Sequence, residues 1–253
     1  MAWVCRVEAE LQVEPCLAVV IPCFNEADHV MECVARVLAE PIVKEVLLVD
    51  DGSTDGTDQI LKSVTDERVQ VVRHLVNHGK GAALRTGFAH ATAELLTTQD
   101  ADLEQDPGDF QKLVRPILDD HADVVYGTRF PGGRRHECQR FVHHWANQFL
   151  TRFSNLLTGL DLSDMETGYK VFRSEVLEGI QIEEDRFGVE PEITAKIALA
   201  GWRVQEVPVS YSPRTVAAGK KIGWTDGVRA VFCILKYSRR PKRGKVEFRT
   251  RLS

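Results

Sequence analysis

No apolar stretch in the sequence approaches the ~18 residues that a membrane-crossing helix needs, so no integral span is expected. Nor is there a Cys-x-x-Cys pair: the six cysteines, at positions 5, 16, 23, 33, 138 and 233, are scattered. That argues against a zinc knuckle and against a disulfide framework, and favours reduced, structural thiols. The Walker pattern Gly-x-x-x-x-Gly-Lys-Ser/Thr is missing, as is Gly-x-Gly-x-x-Gly after the first strand, so ATPase and dinucleotide readings lose ground. His136, His143 and His144 have no Cys or Glu at helical ligand spacing and read as surface histidines. The opening segment Met1 to Pro15 carries Arg6, Glu8, Glu10 and Glu14, unlike a secretory leader, so a cytosolic protein is expected.

What is present is ordinary in amount and uneven in placement. With 253 residues, 43% hydrophobic and 27% charged, the chain can bury a sizeable core as one large α/β domain or two small ones. Its net charge is −5, yet from Arg214 onward there are twelve Lys or Arg against two acids, so the remainder carries −15. A basic end of this kind is either solvated or a surface for phosphates, of nucleic acid or of lipid headgroups.

The pattern alternates strand and helix. Leu17–Ile21 is an all-apolar, β-branched run stopped by Pro22 and reads as a buried parallel strand. Asn25 follows as a candidate cap for a helix with Val30, Val34, Val37 and Leu38 at helical spacing. Glu45–Val49 reads as a second strand, ending in Asp50-Asp-Gly-Ser-Thr-Asp55, a polar turn or a receptor for nucleoside hydroxyls and ring nitrogens. A helix from Thr57 to Val64 comes next, then a third strand, Val69–Arg73. Asn77-His-Gly-Lys-Gly81 opens a further helix, with Lys80 placing positive charge where anions are already welcome. Leu95 starts a fourth strand that ends in Asp100-Ala-Asp102, and Pro107 starts a helix to about Leu118. Ala122–Tyr126 is a fifth strand, ending in Gly127-Thr-Arg129. Five strands alternating with helices predict a doubly wound, mostly parallel sheet, with ligands beyond the carboxyl ends of the strands.

Two carboxylates one residue apart at a strand end project into the same space. There they can hold a hard divalent cation and, through it, a diphosphate. An isolated Asp-x-Asp is weak, since Asp is common where strands stop. Acids, glycines and one Lys concentrated at a single rim form a much stronger joint signal.

In order, Val20-Ile-Pro-x-x-Asn-Glu26, Val49-Asp-Asp-Gly-Ser-Thr-Asp55, Asn77-x-Gly-Lys-Gly81 and Asp100-Ala-Asp102 resemble family 2 glycosyltransferases of the GT-A fold. The resemblance is narrower still to the dolichyl-phosphate mannose synthase-like branch and spans about residues 17 to 238. It implies a glycosyltransferase domain over 1–238, with peripheral amphipathic helices and a basic tail at 239–253. Pro22, Phe24, Asn25, Glu26, Val49, Asp50, Asp51, Lys80 and Ala101 would serve the nucleotide sugar. Asp100 and Asp102, with Glu104 where the family has Gln, would bind Mg²⁺ or Mn²⁺. Arg129, Lys170, Arg214, Lys220 and Lys221 would face the diphosphate or the acceptor phosphate. Asp100, Asp102, Arg129 and Asp164 form the expected catalytic set.

In the second half, Phe141, Trp145, Phe149 and Phe153 fall on one stripe of a helix from Gln139 to Leu157, a stripe that suits core, dimer or membrane contact. Asp164-x-x-Thr-Gly-Tyr-Lys-Val-Phe-Arg173 resembles the family's loop into a strand on the acceptor side. Further elements are expected at Ile193–Leu199 (helix), Arg203–Pro208 (strand) and Trp224–Tyr237 (helix). The resulting expectation is an inverting transfer of a hexose, from GDP-mannose or UDP-glucose, to a polyprenyl or dolichyl monophosphate at the cytoplasmic membrane face, with no nucleic-acid partner. A hydroxyl acceptor is the rival; it would need a general base, for which Asp164 and Glu190 are the candidates. A catalytically inactive membrane-associated partner is the alternative from another class.

Overall fold

Leu17–Cys23 forms β1, buried on both faces because Leu17, Val19 and Ile21 point into one apolar layer and Ala18 and Val20 into the other. The computed structural model describes residues 14–130, 141–213 and 224–238, without the side chains of 141–143 and 224–226. Arg214, Lys220, Lys221 and the basic tail therefore lie outside the described residues. Strand β1 pairs in parallel with β2 (Val43–Asp51) and β4 (Leu95–Thr98), and β2 with β3 (Val69–His74). Beyond β4 come β5 (Val124–Thr128), β6 (Lys170–Arg173) and β7 (Val204–Pro208), giving one seven-stranded sheet of order β3-β2-β1-β4-β6-β5-β7. Strand β6 is antiparallel to both its neighbours, β4 and β5, and β7 is parallel to β5.

Helices cover both faces. On one lie α1 (Val30–Leu38), α2 (Thr57–Leu61) and α4 (Phe110–Leu118, preceded by a 3₁₀ turn at Pro107–Asp109). Val30, Val34, Phe110 and Leu113 pack there against Leu17, Val19 and Ile21. On the other lie α3 (Lys80–His90), α5 (Phe141–Thr158), α7 (Val189–Ala200) and α8 (Trp224–Tyr237). Ala83, Leu84, Val189, Ile193 and Ile234 fill that layer. A short α6 (Ser174–Glu178) follows β6. Each fully buried Leu, Ile or Val contributes roughly 1.5–3 kcal/mol, so the two layers fix which ends of the strands gather at the rim.

Four local expectations are corrected. Pro22 does not stop β1, which runs on to Cys23 with Pro22 opposite Val49. Asn25 does not cap α1: its own φ is +54°, and α1 starts at Val30, where His29 makes no side-chain cap bond. Asp50 and Asp51 are not turn residues but the last two rungs of β2, opposite Arg73 and His74 of β3. The helix expected from Ile193 begins earlier, at Val189, and takes in Glu190 and Glu192.

Candidate active site

The loops after β1 and β2 are stitched together. Asn25 N–H donates to the Ser53 hydroxyl (3.0 Å), and the Asn25 side-chain oxygen accepts Thr54 N–H (2.9 Å). Glu26 N–H donates to the Thr57 hydroxyl and Ala27 N–H to Asp55. The Pro22–Glu26 segment is thus held open against β2, with Pro22, Phe24, Asn25 and Glu26 all partly accessible. Val49 and Ala101 are buried in the apolar layers, so only their backbones can meet a ligand.

Asp50 and Asp51 sit deeper than a ligand-facing pair would. Asp51 accepts from the His74 ring (2.7 Å), His78 N–H (3.0 Å) and Gly79 N–H (2.6 Å), pinning the Asn77–Lys80 loop to the end of β2. Asp50 accepts Ser53 N–H and lies 3.3 Å from the Arg73 guanidinium, while its Oδ2 is buried without a hydrogen bond. The glycines beside Lys80 do not cradle a ligand either. A side chain at Gly81 would collide with the Glu184 carbonyl, and the Ala82 N–H donates to the Asp185 carbonyl, so the 184–185 backbone fills that space.

Lys80 itself reaches the Asp pair. Its ammonium lies 2.8 Å from Asp100 Oδ1 and 3.1 Å from Glu190 Oε1. Burial would favour its neutral form, but the two carboxylates more than offset this and push its pKa up. Behind Asp100 stands Gly168, where an added Cβ would come within 2.8 Å of Asp100 Oδ2 and 2.9 Å of Gln105 Oε1. The Asp100 backbone is fixed as well, its carbonyl accepting from Gln99, whose own side chain accepts from Tyr169.

Asp102 accepts Glu104 N–H (3.1 Å) across a tight turn in which Leu103 has φ +60°. Glu104 Oε2 accepts the Tyr211 hydroxyl at 2.7 Å, and the 104–105 backbone pairs with 211–212. Among the described residues no three His, Cys, Asp or Glu side chains gather as a ready-made metal site. The chemistry of Asp100 and Asp102 still suits a hard cation, because Mg²⁺-like ions commonly take one or two carboxylates and complete their shell with substrate phosphate and water.

Arg129 lies next to this edge, its guanidinium 5.3 Å from the centre of the Tyr211 ring. Asp164 holds it from behind, accepting from Arg129 Nε (2.7 Å), Nη2 (2.8 Å) and backbone N–H, and from the Asn147 amide. Asp164 is fully buried; burial would raise its pKa, but the charge and hydrogen bonds of Arg129 pull it below the usual carboxylate range. A carboxylate so engaged positions Arg129 and is poorly placed as a general base. Lys170 is likewise turned inward: 3% exposed, it donates to the Thr167 carbonyl and lies 5.0 Å over the Tyr126 ring, and burial lowers its pKa to about 8. As the first residue of a strand between two others, it points into the body rather than towards an acceptor.

The rim therefore brings together Asn25, Lys80, Asp100, Asp102 and Arg129 and sets Asp51, Asp164 and Lys170 behind them. Sequence reasoning missed Tyr211, Gly168, Glu166 and Gln105. Only the Thr-Gly pair at 167–168 carried a signal, as part of the motif around Asp164.

Comparison with known proteins follows the same outline. The model for "Glycosyl transferase family 2" matches residues 18–180. The undecaprenyl-phosphate mannosyltransferase of Micrococcus luteus is 29% identical over 84% of this chain and 90% of its own. The polyprenol monophosphomannose synthase of Mycolicibacterium smegmatis is 30% identical over 81% of this chain and 80% of its own. Among solved structures, the glucosyl-3-phosphoglycerate synthase of Mycobacterium tuberculosis, in complex with Mn²⁺, UDP and glucosyl-3-phosphoglycerate, superposes with a TM-score of 0.65. It is 20% identical and covers 91% of this chain and 82% of that one. This likeness establishes the GT-A fold.

Proposed function

The chain belongs to glycosyl transferase family 2, and from that premise we propose that it moves one hexose from a nucleotide diphosphate sugar to a polyprenyl or dolichyl monophosphate, with inversion. The observation that carries the reading is the juxtaposition of the Asp100–Asp102 edge with Arg129 across Tyr211. A donor diphosphate and an acceptor phosphate can thus be held side by side. Asp100 and Asp102 would hold Mg²⁺ or Mn²⁺, which supplies positive charge to the departing diphosphate. The Mn²⁺ and UDP bound to the solved structural relative support this assignment.

In the reaction an acceptor phosphate oxygen attacks the anomeric carbon as the bond to the donor's diphosphate breaks, the electron pair leaving with the diphosphate. Arg129 steadies the attacking phosphate, and no covalent enzyme intermediate forms. A phosphate monoester is already largely ionised near neutral pH, its second pKa being about 6, so no general base is needed. That suits a site in which the obvious carboxylate, Asp164, is committed to Arg129. The relatives' names favour a polyprenyl phosphate acceptor and mannose as the hexose.

The outer face of α5 and α8 supports a peripheral contact with the bilayer that carries such an acceptor. Trp145, Phe149 and Leu156 are 54%, 61% and 78% exposed, and Val228 and Phe232 are 61% and 53% exposed on the neighbouring helix. A surface of large apolar side chains this extensive marks an interaction site. No helix among the described residues is long and apolar enough to cross a membrane.

The test is to supply GDP-mannose or UDP-glucose with Mn²⁺, with and without polyprenyl phosphate, and to look for a charged glycolipid. Glycolipid formed only when both substrates are present supports the reading. Transfer only to a saccharide hydroxyl, whatever the lipid, moves the assignment to the hydroxyl-acceptor rival.

A further inference from the structure

Lys80 links Asp100 to a carboxylate the reaction above does not use. Glu190, in the first turn of α7, gives one oxygen to Lys80 at 3.1 Å. Its other oxygen, Oε2, is buried and has no hydrogen-bond partner, although the residue is only 8% exposed. Glu166 shares the same neighbourhood. It lies in the segment that runs from Asp164, behind Arg129, to Gly168, behind Asp100. Its Oε1 is likewise buried and unpartnered. Burial and the nearby charge of Glu190 push Glu166 up to about 7, the positive charges of Lys170 and Arg129 acting against this. A buried carboxylate oxygen without a donor is costly, so two in one neighbourhood, beside the Asp100 edge, call for a ligand that brings donors.

The ligand must offer hydroxyl or amide hydrogens rather than negative charge. It must also reach from the Asp100–Asp102 edge past Lys80, a distance spanned by two contacts of about 3 Å. A diphosphate fails the first condition, and on the same donor reading the nucleoside would lie elsewhere, at the Asn25 loop. A hexose attached to the diphosphate meets both.

Resting on the reading that the donor is a nucleotide sugar, we propose that Glu190 and Glu166 bind the hydroxyl groups of the transferred hexose and so determine which sugar is accepted. Lys80 fastens Glu190 to Asp100, so the sugar-recognising carboxylate and the diphosphate edge move as one unit. When ionised, each carboxylate offers oxygens that can only accept, so a sugar hydroxyl facing the unpartnered one must donate.

The test compares GDP-mannose with GDP, and UDP-glucose with UDP, by titration calorimetry in Mn²⁺. The wild-type chain and its Glu190→Gln and Glu166→Gln variants are measured alike. The preferred nucleotide sugar should bind the wild type more tightly than its bare diphosphate. Each variant should lose about tenfold or more in affinity for that sugar nucleotide, the loss expected for a hydrogen bond to a charged group, and keep its affinity for the diphosphate. Unchanged sugar-nucleotide affinity in both variants overturns the proposal. So does an equal loss towards both ligands, which would make the two glutamates supports of the fold. A wild-type chain that binds neither ligand overturns the donor reading itself, an outcome visible before any variant is made.

Discussion

At the scale of single residues, the site separates side chains that face the rim from those that hold them. Asp164 and Asp51 use their oxygens on neighbouring protein donors, while Glu166 and Glu190 keep one oxygen each unengaged. This distinction has a pH consequence. The Glu166 pKa rises on folding from 4.5 to about 7 through burial and the charge of Glu190, so between these values the folded chain binds more protons than the unfolded one. Folded stability must therefore fall as pH rises through that window. Glu166→Gln should remove this contribution, so its melting temperature should gain on the wild type from pH 4.5 to 7, a trend readable by thermal denaturation across buffers. Equal pH slopes for the two proteins would place Glu166 in water.

At the scale of elements, the rim is built by turns that tolerate only certain side chains. The bare α-carbon of Gly168 backs Asp100 and Gln105, so Gly168→Ala drives a methyl group to within 2.8 Å of the Asp100 carboxylate. Overpacking of this kind costs about 1–3 kcal/mol. The variant should fold with lowered thermal stability and lose most of its turnover, with Asp100 displaced in its crystal structure. A variant of wild-type turnover would show that Asp100 need not stand where it does.

The elements that sequence revealed are those with local signatures. The apolar run Leu17–Ile21, the acids after Leu95–Thr98 and the helical spacing of Val30, Val34, Val37 and Leu38 in α1 are local signals of this kind. The strand closing the Asp164–Arg173 segment was legible as a strand, but its antiparallel insertion as β6 between β4 and β5 was not, because that placement is set by tertiary packing and not by its four residues. The surroundings of the Asp51, Asp164 and Lys170 side chains were not legible for a related reason. Composition marks a polar residue near a strand end but not the direction of its side chain, which here is settled by β3, α5 and the sheet interior. Glu104 was expected at the metal because it stands where the resembled family has Gln, and its contact across the rim was not foreseen. Its partner Tyr211 comes from more than a hundred residues away, and no spacing rule connects them.

At the scale of the molecule, a polar rim and an apolar flank have to serve one reaction. Stacked Phe149 and Phe153 line an open groove of about 360 Å³ on the outer face of α5, together with Trp145, Arg152 and Leu156. If that face meets the bilayer, Trp145→Ser with Phe149→Ser should reduce co-sedimentation with anionic vesicles at least several-fold, because each large aromatic carries roughly 1.5–3 kcal/mol of burial. Activity towards a detergent-dispersed short-chain acceptor should fall much less. Equal sedimentation of variant and wild type would assign the aromatic stripe to another contact.

The central claim, that the Asp100–Asp102 edge grips the diphosphate of a sugar donor, is tested most directly by titrating GDP and UDP into the protein with Mn²⁺ and with a chelator in its place. The account predicts saturable binding of at least one nucleotide in Mn²⁺, lost in chelator and lost in an Asp102→Asn variant that still folds and no longer turns over. Undiminished binding and turnover in that variant, with no dependence on the metal, would contradict it.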